Sequence, residues 1–564
     1  MLGLLFVALS SKFSVMPGNV IKDILDKVQQ MITAKNSHDE IMSVVIKGGL
    51  FLLGLAFVSG IFRFFMRQTI IVMSRHIEYD QKNEVYSQYQ RLDTHFFKTH
   101  FTGDLMNRIS EDVSRVRMYT GPSIMYFSSV VFLTIFCIWD MLRVNVMLTL
   151  CVIAPLPLLA LSIYYVNRII FKKSGKIQAQ LSSLTTTAQE SYSGIRVIKS
   201  FVQERNMMRF FETNSEEYRK SSINLSLTEA IYFPSMNLFI GISMLSTVLI
   251  GGYFAIKGQI TTGNIAQFVI YINTLMFPIS SIGMVASMTQ RAGASQKRID
   301  EFLDTEPQIK NSPGASKELL YGAISFSNVT FTYPHTGITA LNSFSLQINA
   351  GEKVAVIGKT GSGKSTLVQM LLRMYDTTGG QLLLDGRDIK TIDVNTLRAG
   401  IAYAPQDTYL FSDTIYNNIR FGKDDATDAE VKEAARLADL DKDINTFAKG
   451  YETMIGERGV MLSGGQKQRM VLARALLKNS NIVLLDECLS AVDTQTEKTI
   501  VSNLQQRLQG KTALVITHRI FTTWKFDKVV IIDNGVIAEQ GTHEELMALN
   551  GRYAKLYRHQ TEMG

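Results

Sequence analysis

The chain has 564 residues, 46% of them hydrophobic, with 58 Lys and Arg against 50 Asp and Glu, and a mean hydropathy of +0.09. That length exceeds one ordinary core, so at least two domains are expected. The net charge of +8 would suggest nucleic acid in a soluble protein, but the basic residues gather beside apolar segments, where the cytoplasmic face of a membrane accounts for them.

The apolar residues crowd into the first half, in the order Met1–Leu9, Val44–Phe62, Ile124–Trp139, Val146–Val166, Met236–Ile256 and Ile265–Val285. Most approach the roughly 20 residues a helix needs to cross a bilayer. Met1–Leu9 lacks the basic start of a secretory signal and reads as a first membrane helix without its cytoplasmic beginning. The second span covers Ile41–Phe65, near whose inner end Arg63 and Arg67 share a helix face. They either snorkel to headgroups or attract anionic amphiphiles.

Two polar segments, Arg75–Thr120 and Lys172–Thr228, are rich in helix formers and read as cytoplasmic continuations of the membrane helices. About 20 extra residues carry a helix roughly 30 Å beyond the membrane. Asp140–Asn145 and Lys257–Asn264 are short connections on the far side. Arg168, Lys172, Lys173 and Lys176 place the loop after the fourth span in the cytoplasm. Cys137, Cys151 and Cys488 have no metal-site or disulfide spacing and read as structural.

Residues 1–300 therefore form an all-α transmembrane domain of six helices. Residues 301–320 contain Pro307 and Asn311-Ser312-Pro313-Gly314 and read as a linker, and residues 321–564 form an α/β domain. Its predicted strands are Val354–Ile357, Leu382–Leu384, Ile401–Tyr403, Ile482–Leu485, Ala513–Ile516 and Val529–Ile532, with interleaved helices and parallel pairing. Ligands in such sheets bind beyond the strand C-termini.

One such end carries Gly358-Lys359-Thr360-Gly361-Ser362-Gly363-Lys364-Ser365-Thr366. A glycine loop between strand and helix wraps phosphate with backbone N–H groups. Lys364 is expected at the β- and γ-phosphates and the Ser365 hydroxyl on Mg²⁺. A second strand end carries Asp486 and Glu487; there one acid can hold Mg²⁺ and the next can polarise an attacking water. ATP and Mg²⁺ are the expected cofactors.

Leu462-Ser463-Gly464-Gly465-Gln466 resembles the signature motif of ATP-binding-cassette (ABC) proteins, and nearly the whole chain resembles an ABC exporter half-transporter. The resemblance implies that Tyr333 stacks on adenine and that Gln406 senses Mg²⁺ and the γ-phosphate. It further implies that Asp486 is the metal acid, Glu487 the catalytic base, Asp493 the D-loop acid and His518 the switch histidine. Ser463, Gly464, Gly465 and Gln466 would then meet the γ-phosphate on the P-loop of a second half-transporter. A homodimer is favoured and a heterodimer stays open. Phe96-Phe97 with Thr102–Arg108, and Ser193–Phe201 with Glu204, resemble coupling elements that dock near Glu457-Arg458-Gly459.

The resemblance implies an integral protein of a bacterial inner membrane with its nucleotide domain in the cytoplasm. It would export hydrophobic or amphipathic compounds, with multidrug efflux ahead of lipid flipping and an ATP-gated channel or regulator behind both. Membrane lipids are expected partners and nucleic acid is not. Met236, Met244, Met276, Phe277, Met284 and Met288 are candidate cavity-lining groups, with helix packing as the alternative.

Overall fold

The computed structural model describes residues 1–456, 459, 461–520 and 524–563. Glu457 and Arg458, and the side chain of Phe277, lie outside the described residues. The chain forms two compact units, one of Met1–Gln90 with Gly103–Thr305, the other of Arg91–Thr102 with Glu306–Gly564.

Among the described residues, six helices of the first unit are long and apolar enough to cross a membrane. They are α1 (Leu2–Thr33) and α2 (His38–Arg91), then, past a short helix α3 (Thr94–Thr99) of the second unit, α4 (Thr102–Val144) and α5 (Val146–Ser193). After a six-residue tip, α6 (Ile195–Ser200), come α7 (Glu204–Ile256) and α8 (Thr262–Leu303). The short helices α3 and α6 interrupt the two polar segments, at Phe96-Phe97 and within Ser193–Phe201.

Large apolar side chains such as Leu50, Leu53 and Phe57 point outward from α2, as a lipid-facing surface requires. Pro17, Pro122, Pro234 and Pro278 sit inside helices, which membrane bundles tolerate because neighbours and local widening satisfy the freed carbonyls. Pro122 occupies such a widening, the π-type turn Tyr119–Ser123.

The first helix runs far past Met1–Leu9, and the small residues Gly3, Ser10, Ser11 and Gly18 share its buried face with Val7 and Val15. Close approach there lets a polar network join α1, α4 and α8. Gln267 Nε2 donates to Asn19 Oδ1 at 2.6 Å, and Asn19 Nδ2 donates to Asp140 Oδ2 at 3.0 Å. Tyr271 packs on Gly18, where a Cβ would stand 2.5 Å from Tyr271 Cε1. Gly18→Val is therefore expected to lower the thermal unfolding temperature in detergent, by overpacking worth about 1–3 kcal/mol. An unchanged transition would show that α1 and α8 are not packed this way.

Arg63 and Arg67 are exposed on α2, with Arg63 Nη2 3.5 Å from Ser14 Oγ. Met236 is buried in the helix packing, whereas Met284 is exposed. Of the two, only Met284 is free to line a cavity.

The second unit contains two sheets. In one, β2 (Thr339–Ile348), β1 (Ile324–Thr332), β4 (Gly379–Leu384) and β5 (Arg387–Asp388) pair antiparallel in that order. The other has the order β10-β9-β3-β8-β7-β6. Its members are β3 (Lys353–Gly358), β6 (Ile401–Ala404), β7 (Ile482–Asp486), β8 (Thr512–Thr517), β9 (Lys528–Asp533) and β10 (Val536–Gly541). All its pairs are parallel except β9–β10. Leu382–Leu384, expected in the parallel core, thus belongs to the antiparallel sheet. Its partner on one side is β1, whose serines and threonines on the exposed face hide the strand pattern.

Candidate active site

β3 lies between β8 and β9 with Val354, Ala355, Val356 and Ile357 buried, so its C-terminal end is fixed from both sides. The chain then turns through Gly361 at φ +80° and Gly363 at φ +102° before the helix Lys364–Leu371 begins. Only glycine takes the second of these without strain. A Cβ on Gly363 would also stand 2.4 Å from the carbonyl oxygen of Ala340.

Lys364 is 5% exposed, and its Nζ donates to the carbonyls of Gly358 at 2.9 Å and Lys359 at 3.0 Å. The lysine is thereby folded back over its own loop. Burial pushes its pKa down, while the carboxylates of Glu487 and Asp486 pull the other way.

Both acids leave the end of β7, every residue of which is buried. They part at once, because Glu487 takes φ +49°, a left-handed conformation that costs a non-glycine residue roughly 1 kcal/mol or more. Asp486 stays 2% exposed beneath the loop, with Oδ1 buried and without a hydrogen-bond partner. Burial pushes its pKa up to about 6, with the charge of Glu487 adding to the rise and a hydrogen bond from Ser365 opposing it.

Glu487 turns instead toward the cleft. Its Oε2 accepts from Gln406 Nε2 at 2.9 Å, its Oε1 lies 2.5 Å from His518 Nε2, and Lys364 Nζ is 3.9 Å away. One carboxylate is therefore surrounded by an amide, an imidazole and an ammonium. Such a group can order a water and take its proton.

The cleft measures about 490 Å³ and is lined at this end by Gly361, Gly363, Lys364, Ser365, Gln406, Glu487 and His518. At its other end stands Tyr333, whose hydroxyl meets Thr366 Oγ1 at 3.0 Å and donates to Gln369 Oε1 at 3.1 Å. Phe331 and Tyr375 meet the Tyr333 ring edge-on. Charge at one end and aromatic surface at the other suit a nucleotide.

Residues 1–279 match the family described as ABC transporter transmembrane region, and residues 341–490 match ABC transporter. The chain is 38% identical over 469 residues to "Probable multidrug resistance ABC transporter ATP-binding/permease protein YheI" of Bacillus subtilis, covering 82% of this chain and 80% of that protein. It belongs to the ABC transporters. It is also 33% identical over 518 residues to the "ATP-dependent lipid A-core flippase" of Syntrophus aciditrophicus, covering 92% of this chain and 84% of that one. A bacterial Atm1-family ABC exporter with ATP bound superposes with a TM-score of 0.77 at 25% identity, covering 99% of this chain and 97% of that one. The transporter is thus an exporter half with an ATPase domain on the same integral membrane chain.

The remaining expected residues of the transporter fall outside the cleft. Ser463 caps the helix Gly464–Leu477, its Oγ accepting from Gln466 N at 3.3 Å while Gln466 Oε1 accepts from Ser463 N at 3.0 Å. A Cβ on Gly465 would lie 2.8 Å from the Ala491 carbonyl oxygen. Asp493 caps the next helix, Thr494–Arg507, accepting from Gln495 N and Thr496 N, and those bonds hold its carboxyl below the usual range. None of Ser463, Gly464, Gly465, Gln466 or Asp493 lines the cleft that holds Lys364 and Glu487.

Conversely, Thr94 and Lys98 of α3 do line it, together with His335 and Thr336. Nothing in the sequence points to this. The Asp93 cap and the four-residue spacing of Thr94 and Lys98 mark a helix turn, not a ligand.

The buried Asp486 gives the transporter a pH signature. Its folded pKa of about 6 exceeds the ordinary 3.8, so its contribution to stability is fully present below about pH 4 and is lost as the pH rises through about 6. At about 1.4 kcal/mol per unit, the loss is on the order of 2–3 kcal/mol. Asp486→Asn is expected to raise the nucleotide-free unfolding temperature at about pH 7.5 and leave it unchanged at about pH 4. A difference independent of pH between wild type and variant would contradict this.

Proposed function

We propose that two copies of this chain, or this chain and a related half, form an ATP-driven exporter of hydrophobic or amphipathic compounds in a bacterial inner membrane. The reading is carried by one observation: Glu487, Gln406, His518 and Lys364 converge in a single cleft of a chain with six helices fit to cross a membrane. In this reading Glu487 is the base, and Gln406 and His518 hold it and the attacking water in line with the γ-phosphate. Tyr333 stacks on the base, while the loop Gly358–Thr366 and Lys364 hold the phosphates.

The oxygen set around Asp486 fits a hard divalent cation, since its buried Oδ1 has no partner and Ser365 bonds the same carboxylate. Asp486, Ser365 and Gln406 would hold Mg²⁺, which when bound offsets phosphate charge. Ser463, Gly464, Gly465 and Gln466 form the start of a helix, whose N-terminal dipole favours an anion, and Asp493 stands at the next helix start. With no place in this cleft, they are proposed to complete the site of a second half.

The substrate class is tested by ATPase and flux measurements on the reconstituted transporter across cationic, neutral and anionic amphiphiles and glycolipids. Stimulation and efflux of several unrelated amphiphiles are expected. Stimulation by glycolipids alone would favour flipping, the reading supported by the lipid A-core flippase relative, and absence of both would overturn the proposal.

A further inference from the structure

The short helix α3 comes from the connection between two membrane helices, yet it packs entirely within the nucleotide unit. Asp93 caps it, accepting from Phe96 N at 3.2 Å, and its second oxygen accepts from Ile309 N at 3.3 Å. Thr94 Oγ1 donates to Met374 Sδ at 3.5 Å, and buried Phe96 stacks on His100 at 4.0 Å. The helix is therefore held at its N-terminal end by Asp93 and Thr94 and seated through the buried Phe96.

Its cleft-facing side carries Thr94 and, one turn on, Lys98. They stand at the aromatic end: the His95 ring is 6.2 Å from His335, whose ring is 5.6 Å from Tyr333. Lys98 is exposed and, among the described residues, has no ion-pair or hydrogen-bond partner. The acid lining the cleft, Glu487, belongs to the opposite, phosphate-loop end. An uncompensated ammonium thus faces the place where a nucleoside would lie.

Resting on the reading of this cleft as the ATP site, we propose that Lys98 is a nucleotide-binding residue. Its ammonium donates to oxygen acceptors at the nucleoside end, the ribose and the phosphate nearest it. Such a donor is a compact point charge on a flexible stem, so it can follow the ligand without a fixed geometry. The contact does not involve the terminal phosphate, so it serves ATP and ADP alike. The chain between α2 and α4 then touches the ligand directly, and its occupancy is read there without a relay.

The test is equilibrium binding of ATP and of ADP, without Mg²⁺, to the full-length transporter in detergent, by displacement of a fluorescent nucleotide. Lys98→Gln is expected to raise both dissociation constants about five- to tenfold, the size of one charge-assisted hydrogen bond in a solvated cleft, and added salt should narrow the gap. Lys98→Arg should stay within about twofold of wild type. The proposal is overturned if Lys98→Gln binds both as wild type does, or weakens ATP alone. It is equally overturned if the loss accompanies a lower unfolding temperature without nucleotide, since α3 has then simply come undocked. Lys364→Ala separates the two levels of the argument: if it too leaves both constants unchanged, the cleft is not the nucleotide site.

Discussion

Glu487→Gln is expected to bind ATP as the wild type does and to release phosphate at least about a hundredfold more slowly, the usual size of a lost general base. The substitution is isosteric, so Gln406 keeps an acceptor in place of Oε2, 2.9 Å from its amide nitrogen. What disappears is the proton-accepting oxygen beside His518. The left-handed backbone at this position is kept by a residue of the same length. With binding intact and turnover lost, ATP should remain trapped, so a long-lived dimer should appear on size exclusion in ATP and Mg²⁺. Steady-state phosphate release near the wild-type rate would remove Glu487 from the role of base.

Gly363→Val should abolish nucleotide binding and lower the unfolding temperature of the protein. Two independent costs coincide there. A β-branched residue is forced to φ +102°, and its Cβ would meet the Ala340 carbonyl oxygen at 2.4 Å and Leu341 Cδ2 at 3.3 Å. Backbone cannot step aside as a side-chain end can, so the loop must leave its position over Lys364. A loss of more than about 3 kcal/mol is expected from strain and overlap together, which is over a hundredfold in affinity. Gly361→Ala is the graded control: its φ of +80° is also left-handed but nothing stands within 4 Å, so about 1 kcal/mol is expected. Equal losses in the two variants would mean that contact with Ala340 does not matter.

The site was legible where its chemistry sits in short, ordered runs. A glycine loop between a buried strand and a helix, and paired acids after another apolar strand, are local patterns, so Lys364, Asp486 and Glu487 could be read from their neighbours. His518 and Gln406 came only through likeness to a family, since one histidine or glutamine after a strand says nothing alone. The structure adds their shared contact with Glu487.

Lys98 and Thr94 were illegible for a different reason. They reach the cleft by tertiary packing from a segment distant in sequence, which no periodicity encodes. The membrane spans emerged from apolar runs, but α1 was cut short, because glycines and serines make up most of its buried face and Ser10 and Ser11 break the apolar run between Val7 and Val15. In the second unit, the parallel sheet was legible from buried strands such as β7. The antiparallel one was not, because irregular steps in the pairing break the alternation of buried positions in β1 and β2.

Asp486 and Glu487 are neighbours in sequence, and the single backbone turn between them sends one carboxylate under the phosphate loop and the other into the cleft. Two functions that share a peptide bond are thereby addressed by different surroundings, one dry and one wet. A half-transporter built this way can lose turnover by a single change at Glu487 and still keep its grip on nucleotide. Its descendants have an open route to becoming partners that bind ATP, hold a dimer together and leave hydrolysis to the other half.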